Sequence, residues 1–176
     1  MKKIFAVTNQ KGGVGKTTTT INLAASLALA DQSVLIVDMD PQANLTSGIG
    51  KKGSFRPAGT VYEALAADSE PEIADFIVPT DVAGLSLLPA DRNLTGAEVE
   101  LVSLVQRERR LRPLLQQAKT TFDYVFIDTP PSLGFLTLNA LVAAEGMIIP
   151  LTCDYFALEG LAELMTTLRR VQGAYN

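Results

Sequence analysis

The sequence of 176 residues predicts an α/β fold built on a doubly wound, mostly parallel sheet. Three observations support this prediction. Apolar runs recur along the chain and are nearly continuous, as in strands that are covered on both faces. Helical patterns lie between these runs. Polar or glycine-rich residues follow most of the runs, at the sheet edge where ligands bind in such folds.

Five apolar runs are expected to form the buried strands. They cover residues 3–8, 33–40, 85–90, 123–131 and 146–152. The connections between parallel strands of one sheet are expected to be right-handed crossovers. The glycine-rich, polar and charged residues after the first, second, fourth and fifth runs should therefore meet at one edge of the sheet.

Five helical segments are expected between and after the strands. They cover residues 16–30, 60–67, 94–119, 134–144 and 156–172. Thr60 is a suitable cap for the second helix, and Pro113 should interrupt the third. Gly173 should stop the last helix. The apolar stripe of that helix should comprise Leu158, Leu161, Met165 and Leu168.

The long segment 41–59 is rich in Gly, Ser and Pro and follows Asp40 directly. Loops of this length inside a compact domain are usually functional or disordered. The segment is therefore a candidate switch loop.

The composition excludes several classes of chemistry. The chain has no histidine, which rules out a Ser-His-Asp triad and any histidine metal site. A single cysteine, Cys153, allows no disulfide within the chain and argues against a cluster held by this chain alone. The net charge of −4 shows no basic excess. The short apolar start and the lack of a long apolar run predict a cytoplasmic protein.

The segment "KGGVGKTT" at 11–18 is typical of a phosphate-binding loop between a strand and a helix. Its glycines let successive N–H groups face an anion, and the following helix directs its positive end to the same place. Lys16 would contact the β- and γ-phosphates, and the Thr17 hydroxyl would bind Mg²⁺. The expected nucleotide-binding residues are Lys11, Gly12, Gly13, Val14, Gly15, Lys16, Thr17 and Thr18.

Three aspartates complete the expected site. Asp128 ends the strand "YVFID", where a carboxylate can hold Mg²⁺, commonly through water. Asp38 and Asp40 lie two residues apart, so they share a face of an extended strand. One would orient the water shell of the metal, and the other would position or deprotonate the attacking water. Either of them could instead be a turn residue.

The loop departs from the usual pattern G-x-x-x-x-G-K-[ST] because Gln10 replaces the first glycine and Lys11 is added. Lys11 precedes the glycines and is expected on the outer lip of the loop. In two facing subunits, each Lys11 could enter the nucleotide site of the other and neutralise charge during phosphoryl transfer. The alternative is a solvated surface lysine near an anionic ligand.

These motifs resemble those of the ParA/MinD group of ATPases, which carry a deviant Walker A box. The match to the ParA/Soj partitioning branch rests on four motifs in order along the whole chain. They are "KGGVGKTT" at 11–18, "DMDPQANLT" at 38–46, "FIDTPPS" at 126–132 and "YFALEGL" at 155–161.

The resemblance implies a single P-loop ATPase domain over residues 1–176 that binds ATP and Mg²⁺. It also implies an ATP-sandwiched homodimer, slow hydrolysis, a ParB-type centromere-binding partner and non-specific DNA binding by the ATP form, with a nucleoid location. By matching position, Lys11 resembles the signature lysine that acts across the dimer. Lys16 resembles the phosphate-loop lysine, Thr17 the Mg²⁺ ligand, Asp40 the residue that activates water and Asp128 the Walker B aspartate.

Family members usually continue well beyond the last residue of this chain, so a C-terminally truncated domain is expected. The region beyond normally contacts the adenine and carries basic residues that touch DNA, which leaves both functions open here. The basic cluster "RERRLR" at 107–112 is expected to be a solvated helix face.

Three alternatives remain at this point. A MinD-like ATPase that positions itself on a membrane would need a basic amphipathic helix, and the last helix has few Lys or Arg residues, so no stable membrane association is expected. A nitrogenase iron-protein type would need more than one cysteine per subunit. A non-catalytic nucleotide-binding module that serves only in assembly is the third alternative.

Overall fold

The computed structural model describes residues 3–54, 56–153 and 155–175. The strands in this part are β1 (Lys3–Val7), β2 (Val34–Asp38), β3 (Val78–Pro79), β4 (Leu85–Leu88), β5 (Tyr124–Asp128) and β6 (Gly146–Ile148). They form one sheet in the order β3-β4-β2-β5-β1-β6. All neighbouring strands are parallel except β3 and β4. The predicted mostly parallel α/β fold is confirmed.

The helices in the described residues are α1 (Lys16–Leu29), α2 (Asn44–Gly48), α3 (Val61–Ala66), α4 (Ala97–Glu100), α5 (Leu111–Ala118), α6 (Phe135–Ala143) and α7 (Tyr155–Tyr175). Short 3₁₀ helices cover Ile73–Asp75, Arg92–Gly96, Leu101–Ser103 and Arg107–Arg109. No helix in this part of the chain is both long enough and apolar enough to cross a lipid bilayer.

The sheet is buried on both faces, which explains the nearly continuous apolar runs. Successive residues of a strand point to opposite faces. In β2, Leu35 and Val37 join a core with α5 and α6, whereas Val34 and Ile36 join a second core with α1. The sequence shows no polar alternation here because neither face of β2 meets water.

One strand was missed by the sequence analysis. β3 has two residues, Val78 and Pro79, and pairs antiparallel with β4 at the edge of the sheet. Proline is tolerated on an edge strand, where its missing N–H costs no ladder hydrogen bond. The apolar run at 76–78 has only three residues before Pro79, which is too short to be recognised as a strand.

The expected helical segment at 94–119 is wrong in its first half. That half is a series of 3₁₀ turns around the four-residue α4, and only α5 is a regular helix. Pro113 does not break a helix, because it lies in the first turn of α5. Proline is tolerated there since the first-turn N–H groups have no partner within the helix.

The predicted stripe of α7 is also partly wrong. Leu164 and Val171 are buried, whereas Met165 is 37% exposed. Leu161 and Leu168 are half-buried, and the side chain of Leu158 lies outside the described residues. The helix does not stop at Gly173, because it continues to Tyr175.

The predicted cap of α3 is confirmed. The Thr60 hydroxyl accepts the Tyr62 N–H at 3.2 Å, and Glu63 Oε2 accepts the Thr60 N–H at 2.7 Å. This reciprocal capping box satisfies two N–H groups that would otherwise have no partner.

Candidate functional site

The ends of three strands bring the predicted site residues together. In the registers of the sheet, Val7 of β1 and Asp38 of β2 both pair with Asp128 of β5. β5 therefore lies between β1 and β2, and its last residue stands between the phosphate loop and the "DMD" segment. This is the carboxyl edge of the sheet, where ligands bind in such folds.

The loop between β1 and α1 is shaped by two glycines with left-handed backbone. Gly13 has φ +73° and Gly15 has φ +86°, and Gly15 directly precedes α1. Only glycine adopts these angles without strain. A Cβ added to either of them, or to Gly12, would meet no heavy atom within 4 Å. The space over the loop is thus an open cradle beside the start of α1, which has no side-chain cap.

Lys16 is a buried cation at the bottom of this cradle. Its side chain is 8% exposed, and its Nζ donates to the Lys11 carbonyl oxygen at 3.3 Å. Burial lowers the pKa of Lys16, while the nearby Asp128 and Asp40 oppose that shift. A desolvated ammonium of this kind gains from an additional anion.

Thr17 and Asp128 form the polar pair that was expected to bind the metal. The Thr17 hydroxyl donates to Asp128 Oδ2 at 2.7 Å, and the Thr20 hydroxyl lies 3.4 Å from Oδ1. Burial raises the pKa of Asp128 to about 7, helped by Asp38 and Asp40 and opposed by the Thr17 hydrogen bond and Lys16. A hydroxyl beside a carboxylate offers the hard oxygen ligands that Mg²⁺ prefers.

The other two aspartates differ in their surroundings. Asp40 is 9% exposed, lines the cleft, and accepts the Gln42 N–H at Oδ1 with a distance of 2.9 Å. Asp38 is fully buried. Asp38 Oδ2 accepts the backbone N–H and the hydroxyl of Thr46, and Oδ1 accepts the Asp40 N–H. Burial raises the pKa of Asp38 to about 6, opposed mainly by the bonds from Thr46.

The described residues contain no group of three His, Cys, Asp or Glu side chains that could hold a metal ion by themselves. Mg²⁺ often keeps several waters and binds through one or two protein oxygens plus substrate phosphates. The Thr17–Asp128 pair fits that mode. The role assigned to Asp38 at the metal stays a prediction.

Lys11 lies at the rim of the site. Its side chain is exposed, and its Nζ is 3.4 Å from Thr152 Oγ1 in the segment after β6. Its N–H donates to Asn9 Oδ1 at 3.0 Å. Asn9 in turn donates to the Pro150 carbonyl oxygen at 2.8 Å, so this buried residue ties the loop to the segment that follows β6.

These residues enclose a cleft of about 360 Å³. Its walls comprise Gly12, Gly13, Gly15, Lys16, Thr17, Thr18, Asp40, Asn44 and Pro131. Lys11 and Val14 are not among the lining residues. The cleft therefore gathers most of the predicted nucleotide-binding residues, together with one of the three aspartates.

The sequence analysis missed several residues that shape the site. Asn44 lines the cleft from the start of α2, and Thr20 contacts both the Lys16 carbonyl oxygen and Asp128. Asn9 and Thr46 anchor the two loops. Thr46 stands among other polar residues in the segment 42–48, so nothing local marks it, and its partner is fixed only by the fold.

The family described as an AAA domain matches residues 2–176. The chromosome partitioning protein ParA of Myxococcus xanthus is 53% identical over 174 residues, which cover 99% of this chain and 60% of the relative. The sporulation initiation inhibitor protein Soj of Bacillus subtilis is 50% identical over 177 residues, covering 100% of this chain and 68% of the relative. The chain thus spans between 60% and 68% of the length of these two relatives.

A solved structure of cobyrinic acid a,c-diamide synthase from Mycobacterium smegmatis, with bound ATP analog and magnesium, has a similar fold. Its TM-score is 0.91 at 41% identity, and the match covers 100% of this chain and 70% of that chain.

Proposed function

This chain belongs to the AAA domain family and, within it, to the ParA/Soj group, and from that membership we propose that it is an ATP-dependent partitioning protein. It binds ATP with Mg²⁺ and hydrolyses ATP slowly as a nucleotide-sandwiched homodimer. With a ParB-type partner and DNA, it segregates a chromosome or a plasmid. These activities are proposed for a chain that matches 60% of the first relative and 68% of the second.

One observation carries the proposal. A glycine cradle, the buried Lys16 and Thr17 line a single cleft of about 360 Å³, and the Thr17 hydroxyl donates to the buried Asp128. The buried cation favours an anion, while the raised pKa of Asp128 indicates a carboxylate that a cation would stabilise. A polyanion that carries its own divalent cation satisfies both needs at once. ATP with Mg²⁺ has this chemistry, and both the bound ATP analog and magnesium appear in the solved structure described above.

The proposed roles follow from where the side chains lie. The loop N–H groups and Lys16 hold the β- and γ-phosphates. Thr17 and Asp128 hold the divalent ion, which when bound supplies charge neutralisation for phosphoryl transfer. Asp40 lines the same cleft and positions the attacking water.

The proposed dimer depends on Lys11. Its side chain is exposed at the rim and does not line the cleft of its own subunit. Its contact with Thr152 is a long one at 3.4 Å between exposed groups, and such contacts contribute little to stability. Lys11 therefore lies at the rim and outside the cleft of its own subunit, and we propose that it completes the site of a second subunit.

The non-specific DNA and ParB-type contacts, and a nucleoid-associated cytoplasmic location, are further parts of the proposal. The basic segment 107–112 offers little support for DNA binding. Arg107 pairs with Glu108 at 2.9 Å, and Arg110 donates to the carbonyl oxygens of Leu65 and Ala67. These guanidinium groups are occupied within the chain.

The test measures ATP turnover and oligomeric state together, with Mg²⁺ present. The unmodified chain should turn over ATP slowly and elute as a dimer only with ATP. Lys11→Ala should bind nucleotide as a monomer with nearly unchanged affinity but lose at least about 10-fold in turnover, since a cation supplied in trans is removed. The matched control is Lys119→Ala, which removes a surface lysine paired with Glu145.

Three outcomes would contradict the proposal. Nucleotide binding without turnover would favour the non-catalytic assembly module. Pelleting with anionic liposomes in the presence of ATP would favour the MinD-like alternative. Equal turnover by Lys11→Ala and the unmodified chain would remove the role assigned to the signature lysine.

A further inference from the structure

The Thr46 hydroxyl joins three segments of the chain. It donates to Asp38 Oδ2 at 2.7 Å, and it accepts the Ala90 N–H at 3.1 Å. The Thr46 N–H also donates to Asp38 Oδ2, at 2.9 Å. Thr46 and Asp38 are 1% and 0% exposed, so water does not compete for these bonds. The end of β2, helix α2 and the segment after β4 therefore meet at one side chain.

The helix held by Thr46 has little stability of its own. α2 has only five residues, and isolated helices of that length do not persist in water. The chain enters it through Ala43, whose φ of +50° is costly for a residue with a Cβ. The position of α2 must come from tertiary contacts, which include the buried Leu45, the approach of Gly48 to Ile21 of α1 and the bonds of Thr46.

The same short segment forms the wall between two cavities. On one side, Asp40 and Asn44 line the nucleotide cleft. On the other side, the segment lines a second cavity of about 550 Å³, which Ala90 and Arg92 also line. Any shift of α2 away from its anchor moves Asp40 and Asn44 relative to the phosphate loop.

We propose that Thr46 is a positioning residue for ATP hydrolysis, which acts by holding Asp40 and Asn44 in the cleft through its bonds to Asp38 and Ala90. This inference rests on the proposed function. It gives Asp38 a definite task as the fixed acceptor for Thr46. Asp38 then acts on the reaction through the loop and not as a contact to metal or nucleotide.

The phosphate loop does not depend on these bonds. Lys16, Thr17 and the glycine cradle are held by β1, α1 and Asp128. A loss of the Thr46 hydroxyl should therefore spare nucleotide binding and affect the reaction. A merely structural role would lower both to the same extent.

The test compares Thr46→Val with Thr46→Ser. Valine keeps the shape and the backbone N–H of residue 46 but removes the hydroxyl. Serine restores the hydroxyl and serves as the rescue. Thr121→Val is the matched control, because Thr121 is exposed and its hydroxyl lies 3.4 Å from that of the neighbouring Thr120.

We expect Thr46→Val to bind a fluorescent ATP analogue within about 3-fold of the unmodified chain and to lose about 10-fold or more in turnover, since small misplacements of catalytic groups have effects of this size. Thr46→Ser should recover turnover to within about 2-fold. In the nucleotide-free proteins, amide hydrogen exchange at residues 40–48 and at Ala90 should be faster in Thr46→Val alone.

Unchanged turnover in Thr46→Val, or a failure of serine to rescue it, would overturn the inference. Parallel losses of affinity and turnover would overturn it as well. If the unmodified chain neither binds nor hydrolyses ATP, the proposed function fails separately. The exchange measurement then still decides whether Thr46 holds residues 40–48, and unchanged exchange there would reject the anchor itself.

Discussion

The two ends of the sheet treat charge in opposite ways. At the carboxyl end, burial raises the pKa of Asp38 to about 6 and of Asp128 to about 7, and it lowers the pKa of Lys16. At the amino end, Lys119 donates to Glu145 at 2.7 Å and holds the pKa of that carboxyl below its usual value. At the carboxyl end, burial disfavours the ionised forms of these side chains. At the amino end, the two charged side chains stabilise each other.

This fold buries ionisable groups without full compensation at the carboxyl end of its sheet, where the candidate site lies. Groups with perturbed pKa values collect at functional sites because the ligand, and not the protein, completes their charge balance. At the amino end, Glu145 and Asp123 have partners within the chain itself. Asp123, for example, accepts the Ser33 N–H at 3.0 Å. The following predictions test this contrast, beginning with the largest expected effect.

Lys16→Met should weaken ATP binding by roughly 1000-fold, which is the scale for loss of a charged donor in a site that excludes water. The stability of the nucleotide-free protein should not fall, because burial already disfavours the lysine charge. Isothermal calorimetry and urea unfolding measure the two effects. The control Lys119→Met should leave the affinity for ATP unchanged. A comparable loss of affinity in this control would contradict the contrast between the two ends of the sheet.

Asp40→Ala should lower ATP turnover by about 100-fold, as expected for the loss of a group that positions or activates water. ATP binding should stay within about 3-fold, because Asp40 is not part of the glycine cradle. With slow hydrolysis, the ATP-bound dimer should accumulate in gel filtration. If Asp40→Ala remains monomeric with ATP, the proposed nucleotide-sandwiched dimer is wrong. The control is Asp75→Ala, which changes an exposed aspartate.

Asp128→Asn should stabilise the nucleotide-free protein at pH 8. Since the folded-state pKa is raised to about 7, the carboxyl contributes stability that is present below its ordinary pKa and lost as pH rises towards 7. The difference in free energy of unfolding between the variant and the unmodified chain should grow from near zero at pH 4 to about 4 kcal/mol at pH 8.

Urea unfolding over that pH range measures the effect, with Asp75→Asn as an exposed control. If the difference in free energy of unfolding does not change with pH, burial does not raise the pKa of Asp128. The contrast between the two ends of the sheet would then fail at this residue. The same variant should lose the Mg²⁺ dependence of ATP binding, which is the functional cost of the added stability.

Glu145→Gln should have the smallest effect and the opposite dependence on pH. Its pKa is lowered by Lys119, so its contribution is present above the ordinary pKa and is lost as pH falls. Because its side chain is 34% exposed, the loss at pH 7 should be below about 1 kcal/mol and should shrink in high salt. Thermal unfolding at two salt concentrations checks this, with exposed Glu72→Gln as the control.

The sequence predicted the features that depend on local chemistry. The parallel strands follow from apolar runs that need two covered faces. The glycine-rich loop between β1 and α1 follows from the spacing of its glycines before Lys16 and Thr17. The Thr60 cap was predicted because capping is a matter of a few adjacent residues. The reciprocal bond from Glu63 is a finding of the structure.

The remaining features depend on partners that are distant along the chain. The turns at 92–109 have helix-forming composition, but the fold does not allow a continuous helix there, and β3 is too short to leave a pattern. The anchor of Thr46 requires Asp38 and Ala90 to be brought together, which no local spacing reveals. The roles of the individual site residues, including Lys11 and Asp38, stay predictions.

The placement of β5 between β2 and β1 has a consequence for how the nascent chain acquires its site. Thr17 and Asp128 are separated by 111 positions, and the first two strands do not touch each other in the finished sheet. During synthesis the glycine loop is complete long before its carboxylate exists, and the gap between the first two strands must stay open to admit the later one. Ribosome-bound chains that stop before residue 124 should therefore be unable to retain nucleotide, however well their first helix has formed.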